Sequence, residues 1–296
     1  MKVLKFGGTS VGSVEAMRNV KKIVDGTPGQ VVVVVSALSG VTDQLLEMAR
    51  QASAQDDAWE RTLSALRERH IAIMEAVVPQ ERQPMCYAAF KDFIDNGLRQ
   101  YYGMLHVNRQ LDATARDAMT DNVVCHGEIL SSIIVTCMID GAVPHFSPNF
   151  IKTRDTATER LLDAEATERL IRQELAGRTE RVHVTQGFIS ADVTSGQKTN
   201  LGRGGSDFTA ALIAAALEAE SLEIWTDVDG FMTADPKKDP TATVIPKMTY
   251  AEAQRMCDAG AKVVYAPTLT PVRLKGIDVW VKNTFNPTAI GTLIAG

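Results

Sequence analysis

Five consecutive valines, at positions 31–35, constrain the fold of this chain more than any other feature of its sequence. Turn-forming residues stand on both sides of the run, Thr-Pro-Gly at 27–29 and Ser-Ala-Leu-Ser-Gly at 36–40. A short, bounded and unbroken β-branched run predicts a strand that is covered on both faces, which is typical of the centre of a parallel sheet. The chain is therefore predicted to be an α/β protein.

The segments around this strand repeat the order strand, loop, helix. A strand is predicted at 3–6, where it ends in two glycines, and Thr9 and Ser10 are placed to cap a helix that begins near Val11. Another helix is predicted at 41–51, directly after the loop that follows the valines. This alternation predicts parallel strands that are joined by right-handed crossovers.

The rest of the chain extends this pattern around a long helical excursion at about 55–140, which we predict to be a helical insertion that forms part of the substrate lobe. We predict its helices at 57–78, 81–102, 113–119 and 128–139, with breaks at Pro79 and Gly103. Later elements are strands at 143–146, 182–189, 222–225 and 279–282, helices at 163–176, 208–220, 250–259 and 269–275, and a hairpin turn at 193–199. The sum is a single domain over 1–296, a three-layer α/β/α sandwich with a mostly parallel central sheet of about eight strands.

Charge and cysteine usage exclude several classes of protein. The net charge is −5 and no stripe is rich in Lys and Arg, so we expect no binding of nucleic acid or of an anionic membrane. The four cysteines form no CxxC pair and the five histidines show no HxxxH spacing, which argues against a structural metal site or a disulfide framework. No stretch approaches the ~18–20 apolar residues of a membrane span, and we expect a cytoplasmic location.

The first candidate for a functional segment is KFGGTS at 5–10, which follows the first strand. Its paired glycines let the backbone approach an anion, the next helix presents N–H groups there, and Lys5 can compensate charge on a phosphoryl group. The lysine precedes the glycines, so the segment is not a P-loop. A tight strand–helix turn with a surface lysine is the alternative explanation.

The second candidate is LGRGGSD at 201–207, a glycine-rich loop that leads into an alanine-rich helix. Arg203 offers a bidentate fork that suits a carboxylate, and the backbone N–H groups that follow it suit an anion. Asp207 can orient a lysine such as Lys5. Capping of the helix by Ser206 or Asp207 is the simpler alternative, although capping alone does not require the Arg-Gly-Gly sequence.

The third candidate is WTDVDGFMTADPK at 225–237, where a strand delivers Thr226 and Asp227 to a loop. Such a segment can bind a ribose and an adenine while Lys237 reaches a phosphate. The alternatives are a metal site on the acidic loop and simple solvated turns, and the spacing alone slightly favours the solvated turns. Glu128 stands at the start of an apolar helix, where a partner of the helix dipole is its default role.

Taken in order, these segments and four others resemble the aspartokinase branch of the amino-acid kinase superfamily over essentially the whole chain. The motifs that carry the resemblance are KFGGTS at 5–10, VSALSGVTDQLL at 35–46, HGE at 126–128, QGFI at 186–189, LGRGGSDFTAAL at 201–212, EIWTDVDG at 223–230 and GAKVVYAPTLTP at 260–271. The ending VKNTFNPTAIGTLI looks most like the kinase portion of bifunctional aspartokinase–homoserine dehydrogenases. The resemblance implies the amino-acid kinase fold.

The resemblance also implies a role for each matching residue. Lys5 would stabilise the transferring phosphoryl group, and Asp207 would hold that lysine in place. Arg203 would take the α-carboxylate of aspartate and Glu128 its α-ammonium. The full set on the aspartate side is Thr42, Glu128, Phe188, Arg203, Gly204, Gly205 and Ser206. The set on the nucleotide side is Gly7, Gly8, Ser10, Thr226, Asp227, Met232, Lys237, Lys262 and Val263.

Three residues depart from the pattern of the family. Met232 stands where a tyrosine often lies against the nucleotide, Lys237 where arginine is common, and Tyr265 where a histidine is usual. Members of the family also usually continue into ACT-type regulatory domains that bind lysine or threonine, and such a region is absent from this chain. The resemblance therefore implies either a piece of a longer protein or one without that control.

The activity that the resemblance implies is transfer of the γ-phosphoryl group of ATP to L-aspartate, the first step toward lysine, threonine and methionine. Mg²⁺ would be held mainly by the phosphates of ATP. Two alternatives stay open: another amino-acid kinase, acting on glutamate, N-acetylglutamate or carbamate, and a catalytically silent amino-acid sensor on the same fold. The resemblance also admits a homodimer and, in a full-length protein, fusion to regulatory and dehydrogenase domains.

Overall fold

The structure, a computed structural model, describes residues 1–108, 112–156, 159–234, 239, 241–261 and 263–296. Within these residues the strands are β1 (Lys2–Phe6), β2 (Val31–Val35), β3 (Ala142–His145), β4 (Lys152–Asp155), β5 (Arg160–Leu162), β6 (Val182–Gln186), β7 (Ile189–Asp192), β8 (Lys198–Asn200), β9 (Ser221–Thr226), β10 (Lys247–Thr249), β11 (Asp278–Asn283) and β12 (Thr292–Ala295).

The α-helices of the same residues are α1 (Gly8–Val11), α2 (Val14–Gly26), α3 (Val41–Ser53), α4 (Ala58–Val77), α5 (Gln83–Phe90), α6 (Arg99–Val107), α7 (Ala113–Val124), α8 (His126–Met138), α9 (Ala164–Leu175), α10 (Gly205–Leu217), α11 (Tyr250–Asp258) and α12 (Leu269–Leu274). A π-helical segment, Lys91–Leu98, joins α5 to α6 without a break.

The main sheet has eight strands in the order β10–β12–β11–β9–β1–β2–β6–β3 among the described residues. Every neighbouring pair is parallel except β11–β12, so the predicted mostly parallel sheet of about eight strands is confirmed. β1 lies at the centre of the sheet between β2 and β9. The chain leaves β1 towards one edge of the sheet and returns to the other side of β1 at β9.

The five valines form β2, and all of them are fully buried. Val31, Val33 and Val35 belong to a hydrophobic core with side chains of α2, α3 and α8 on one side of the sheet. Val32 and Val34 belong to a second core with side chains of α9, α10 and α12 on the other side. A strand has a side-chain period of two, so an unbroken valine run supplies both cores at once. The predicted three-layer arrangement is confirmed.

The helical excursion also matches its prediction in outline, with two differences. The predicted break at Gly103 is wrong, because α6 continues through it to Val107. Tyr102 and Leu105 are both buried on this helix, and their packing outweighs the ~1 kcal/mol that an internal glycine costs. The helix predicted at 113–119 extends to Val124, where its last turn reaches the buried Val123 and Val124.

A second sheet, in the order β5–β4–β7–β8, was not predicted. The single strand predicted at 182–189 is wrong, because β6 ends at Gln186 in the main sheet and β7 begins at Ile189 in the second. The chain breaks between them at Phe188, whose φ of 67° lies in the left-handed region. The hairpin predicted at 193–199 is confirmed, since β7 and β8 are antiparallel neighbours. The short β4 and β5 carry too few residues for a periodic signal.

Two predicted helix starts are also wrong. Ser13, rather than Thr9 or Ser10, caps the long helix α2, with its Oγ accepting from the Ala16 N–H at 3.1 Å. The helix predicted at 208–220 begins three residues earlier, at Gly205. Its first turn therefore contains Ser206 and Asp207, which decides where their side chains can point.

Candidate functional site

The site lies at the carboxyl ends of β1, β2 and β6, which meet at one edge of the main sheet. The chain leaves β1 towards β2 and leaves β9 towards the opposite edge, so a topological switch point lies between β1 and β9. The carboxyl ends of strands near such a point are where α/β folds place their ligands. A cavity of about 670 Å³ opens there. We call it the substrate cavity. Ten of the residues singled out from the sequence line it: Lys5, Gly8, Thr42, Glu128, Phe188, Arg203, Gly204, Gly205, Ser206 and Asp207.

Lys5 and Asp207 form an ion pair in the wall of this cavity. Their Nζ and Oδ1 atoms are 2.6 Å apart, and both residues are buried, with 9% and 8% of their surface exposed. The other carboxylate oxygen of Asp207 accepts the backbone N–H of Tyr265 at 3.3 Å. A buried ion pair is tolerated when further hydrogen bonds satisfy its members, and this one fixes the position of the ammonium group.

The alternative in which Ser206 or Asp207 caps the helix is wrong. The residue before the first turn of α10 is Gly204, and no side chain caps the helix. Asp207 lies within the first turn, so its carboxylate points to Lys5 instead. The Gly205 N–H donates to the Gly202 carbonyl at 3.0 Å, and the N–H groups of Gly204, Ser206 and Asp207 are the others at this helix start without an intrahelical acceptor.

Gly204 is required by its surroundings as well as by its backbone. Its φ is 69°, and a Cβ atom built on it would lie 2.1 Å from Cγ of Tyr265. The tyrosine ring therefore packs directly on the backbone of Gly204, and there is no room for a side chain at that position. Tyr265, which was noted only as a departure from the family pattern, contacts both the loop and Asp207.

Glu128 lies in the first turn of α8 and is buried beneath the cavity. Burial raises the pKa of its carboxyl to about 8, although the backbone N–H groups of Ala37 and of Glu128 itself and the charge of Lys5 act in the opposite direction. No described residue hydrogen-bonds its Oε2 atom. A buried carboxyl oxygen that lines a cavity without a protein partner is suited to a cationic ligand group.

Phe188 is held in its left-handed conformation by bonds on both sides. Its N–H donates to the Thr209 hydroxyl at 3.1 Å, and its carbonyl accepts the Leu201 N–H at 2.8 Å. Left-handed backbone is costly for a bulky residue and persists only where the surroundings enforce it. The bonds tie Phe188 to Leu201 at the start of the glycine-rich segment and to Thr209 on α10, and its ring lies against Gly205.

The residues predicted for the nucleotide side are only partly at the cavity. Gly8 lines it, but Ser10 is fully buried, where its hydroxyl donates to the Trp225 carbonyl and accepts from Thr284. The Gly7 N–H also donates to the Trp225 carbonyl, at 3.1 Å. The side chain of Ser10 and the N–H of Gly7 are therefore committed to joining β1 to β9.

Of the remaining residues of that set, Thr226 ends β9 and Asp227 follows it directly. The Thr226 hydroxyl donates to the exposed Asp227 carboxylate at 3.2 Å. Met232 is half-buried and forms an isolated antiparallel bridge with Val244. Val263 is half-buried against the second core. The predicted Lys237 and Lys262 lie outside the described residues.

Other expectations from the sequence concern metals, thiols and histidines. In the described part of the chain, no group of three or more His, Cys, Asp or Glu side chains could hold a metal ion, and no helix is long and apolar enough to cross a membrane. All four cysteines are free thiols. His126 is buried and its Nδ1 is bonded to the Asn122 carbonyl at 3.0 Å, so its role is structural.

Residues that the sequence did not indicate also reach the site. Asp121 of α7 and Asn200 of β8 line the cavity and are hydrogen-bonded to each other at 2.9 Å. The only local signal was an asparagine two residues before a glycine, which is typical of an Asx turn. The contact with α7, at a separation of 79 residues, had no signal.

Comparison with known proteins relates this geometry to characterised chains. The model of the amino acid kinase family matches residues 1–283. Lysine-sensitive aspartokinase 3 of Escherichia coli is 34% identical over 99% of this chain and 63% of its own length, and a bifunctional aspartokinase/homoserine dehydrogenase of Daucus carota is 33% identical over 98% and 32%. The crystal structure of E. coli aspartokinase III in complex with aspartate and ADP has a TM-score of 0.86 and 32% identity over all of this chain and 64% of that one.

These matches run along almost the entire sequence, and they include the segments that build the substrate cavity. The chain spans only 32% to 63% of the length of these two curated relatives. It is homologous to aspartokinases, both those that stand alone and those that are fused to homoserine dehydrogenase. The chain belongs to the amino acid kinase family.

Proposed function

We propose that this chain is an aspartate kinase, which transfers the γ-phosphoryl group of ATP to the β-carboxylate of L-aspartate to give 4-phospho-L-aspartate. The observation that carries the proposal is the Lys5–Asp207 ion pair in the wall of a cavity that also contains Arg203 and the unpartnered Glu128 oxygen. The homologue crystallised with aspartate and ADP supports the same assignment.

Recognition of aspartate is assigned to groups on two sides of the cavity. Arg203 is exposed, so its planar guanidinium is available to bind the α-carboxylate in a bidentate manner. Glu128 receives the α-ammonium, which favours the ionised carboxyl and replaces the partner that its Oε2 lacks. Recognition of both headgroups favours a free α-amino acid over N-acetylglutamate or carbamate. Thr42, Phe188 and the start of α10 complete the pocket around the side chain.

The reaction needs no general base, because a β-carboxylate with an ordinary pKa of about 4 is already ionised at neutral pH. One of its oxygens attacks the γ-phosphorus, the bond from that phosphorus to the β,γ-bridging oxygen breaks, and ADP leaves with the electron pair. No proton moves. The obstacle is the approach of two anions, so catalysis consists of positioning and charge compensation. The Lys5 ammonium, held by Asp207, supplies compensation at the transferring group.

The nucleotide is proposed to lie next to Gly8 and the carboxyl end of β9, near Thr226, Asp227, Met232 and Val263. The homologue with bound ADP supports ATP as the phosphoryl donor. Mg²⁺ is proposed to be carried by the phosphates of ATP and by water. When bound, that ion would offset charge on the phosphates.

The test is an ADP-release assay with L-aspartate, L-glutamate, N-acetylglutamate and carbamate as acceptors, and trapping of the acyl phosphate with hydroxylamine as a check on the product. We expect turnover with L-aspartate and kcat/KM at least about 100-fold lower with each of the others. Turnover with glutamate but not with aspartate would overturn the assignment. ADP release with none of the acceptors, together with calorimetric binding of aspartate, would identify the silent sensor instead.

Fusion to further domains, a homodimer and a cytoplasmic location are predictions that accompany the proposed function. The bifunctional homologues make fusion to further domains a reasonable expectation for a longer protein that contains this chain. The homodimer and the cytoplasmic location stay predictions from the sequence. Analytical ultracentrifugation of this chain tests the homodimer. A monomer at micromolar concentration would contradict it.

A further inference from the structure

Asp121 lines the substrate cavity although its charge is opposite to what an anionic substrate requires. Both of its oxygens are occupied. Oδ1 accepts the side-chain N–H of Asn200 at 2.9 Å, and Oδ2 accepts from Arg160 at 2.8 Å. Arg160 also donates through Nε to Asp155, at 3.1 Å. These contacts join α7 to β4, β5 and β8 of the second sheet.

Asn200 connects this cluster to the loop that carries Arg203. Its Oδ1 accepts the Gly202 N–H at 3.1 Å, while its amide nitrogen donates to Asp121. Gly202 has a φ of 70°, and Arg203 follows it directly. The side chain of Asn200 therefore holds the loop at one end and α7 at the other, and both of its ends are used.

The charges suggest why these partners are needed. Arg203 and Asp121 line the same cavity, and a free carboxylate there would repel the substrate or bind the guanidinium itself. In the structure the Asp121 oxygens are directed to Asn200 and Arg160. Among the described residues, no acidic side chain lies within ion-pair distance of Arg203, so Arg203 stays available for a carboxylate ligand.

We propose that Asn200 and Asp121 are positioning residues for aspartate binding, which set the course of the loop 202–205 and keep Arg203 unpaired until the substrate arrives. The proposal rests on the proposed function, and it deepens that function by naming what places the carboxylate-binding arginine. Neither residue touches the reacting atoms, so their effect should fall on the binding of aspartate and not on the chemical step.

The decisive variant is Asn200→Asp, which keeps the acceptor for the Gly202 N–H but sets a second carboxylate against Asp121. We expect KM for aspartate to rise about tenfold, while kcat and KM for ATP change less than about twofold. The matched control is Asn96→Asp. This exposed asparagine also donates to an aspartate, Asp92, at 3.3 Å, and it lies outside the cavity, so its kinetics should equal those of the wild type.

The exchanged pair Asp121→Asn with Asn200→Asp restores one amide and one carboxylate at the same contact. It should bring KM for aspartate back to within about threefold of the wild type. Recovery would support positioning by this contact, because it would show that the rise in KM comes from the two facing carboxylates. An unchanged KM in Asn200→Asp, or a fall in kcat with unchanged KM, would overturn the proposal.

A second readout does not depend on catalysis. Amide hydrogen exchange of a peptide that covers 201–205 should be about tenfold faster in Asn200→Ala than in the wild type, because the Gly202 N–H loses its acceptor. Equal exchange rates would remove the structural basis of the inference. A wild-type chain that neither binds nor phosphorylates aspartate would sink the proposed function alone, and the exchange result would still decide whether Asn200 holds the loop.

Discussion

The two sides of the proposed active site differ in how their polar groups are used. On the aspartate side, the Glu128 Oε2 has no described partner and Arg203 has no described ion pair. Glu128 lies on a buried helix, and the residue before Arg203 is bonded to Asn200. On the nucleotide side, the Gly7 N–H and the Ser10 hydroxyl are bonded to the Trp225 carbonyl, and Thr226 is bonded to Asp227. The aspartate side thus offers an unpartnered carboxyl oxygen and an unpaired guanidinium to a small ligand that carries both an ammonium and a carboxylate.

Under the proposed function, this difference predicts that side-chain chemistry selects the acceptor, whereas binding of the donor relies more on the shape of the backbone. Residues whose polar atoms are already hydrogen-bonded within the protein can still form the surface on which a nucleotide lies. Their side chains contribute little further free energy of nucleotide binding. Substitutions on the aspartate side should therefore have large and specific effects. Substitutions of the described residues on the nucleotide side should have small effects.

The largest effect is expected for Lys5→Ala. It removes the charge that would offset the developing phosphoryl, and kcat should fall about 10³-fold. The measurement is steady-state ADP release at saturating aspartate and ATP. Aspartate binding by calorimetry should persist, since Arg203 and Glu128 remain.

Lys2→Ala is the matched control for that variant, because Lys2 belongs to the same strand but pairs with Glu223 outside the cavity. Its kcat should equal that of the wild type. If Lys5→Ala retained a tenth of the wild-type kcat, Lys5 would not be the group that offsets the phosphoryl charge. The contrast between the two sides of the site would then lose its strongest support.

The next largest effect is expected for Gly204→Ala. The new methyl group would lie against the Tyr265 ring and would also need a left-handed backbone, so the loop must move. A displacement of about 1 Å should raise KM for aspartate about 50-fold. In the Tyr265→Ala background the clash is gone but the backbone strain remains, so partial recovery is expected. Full recovery would show that the backbone conformation is unimportant.

A change of about tenfold in KM for aspartate is expected from the protonation of Glu128. Burial raises the pKa of this carboxyl to about 8, and the α-ammonium of aspartate favours its ionised form. KM for aspartate should therefore fall about tenfold between pH 6.5 and 8.5. Glu128→Gln should bind aspartate more weakly at pH 8.5 and lose this pH dependence, whereas Glu60→Gln, at an exposed position, should keep it.

The pH dependence of the free energy of unfolding gives an independent check of the raised pKa of Glu128. The pKa is higher in the folded chain than its ordinary value of 4.5, so between pH 4.5 and 8 the folded state holds a proton that the unfolded state has lost. The Glu128 contribution to the free energy of unfolding therefore falls as pH rises through this window. Urea denaturation at pH 5 and pH 8 should show a smaller decline for Glu128→Gln than for the wild type. An equal decline in both proteins contradicts the raised pKa.

The parts of the molecule that could be predicted from sequence are those whose signals are local. The valine strand followed from one short run, and the position of Lys5 followed from a strand that ends in two glycines. The sequence also suggested that Asp207, in GRGGSD, could orient Lys5, in KFGG, and the two residues form an ion pair in the structure. The cavity contains both segments.

The parts that could not be predicted depend on contacts between distant segments. The hydrogen bond from Asn200 to Asp121 spans 79 residues and the bond from Tyr265 to Asp207 spans 58, with no periodic pattern at either end. The second sheet is built from short strands such as Arg160–Leu162, which carry almost no alternation. The break at Phe188 needs a bulky residue at positive φ, against its local preference, so only the folded surroundings could specify it.

The smallest effect is expected on the nucleotide side, for Met232→Tyr. Met232 is half-buried in its bridge with Val244, and a tyrosine there would present a rigid aromatic face for an adenine. KM for ATP should fall about twofold to threefold, with KM for aspartate unchanged. Met85→Tyr, on an exposed part of α5 outside the substrate cavity, is the matched control and should alter neither constant. A tenfold change in KM for ATP would mean that side-chain identity matters as much for the donor as for the acceptor, and the contrast between the two sides would fail.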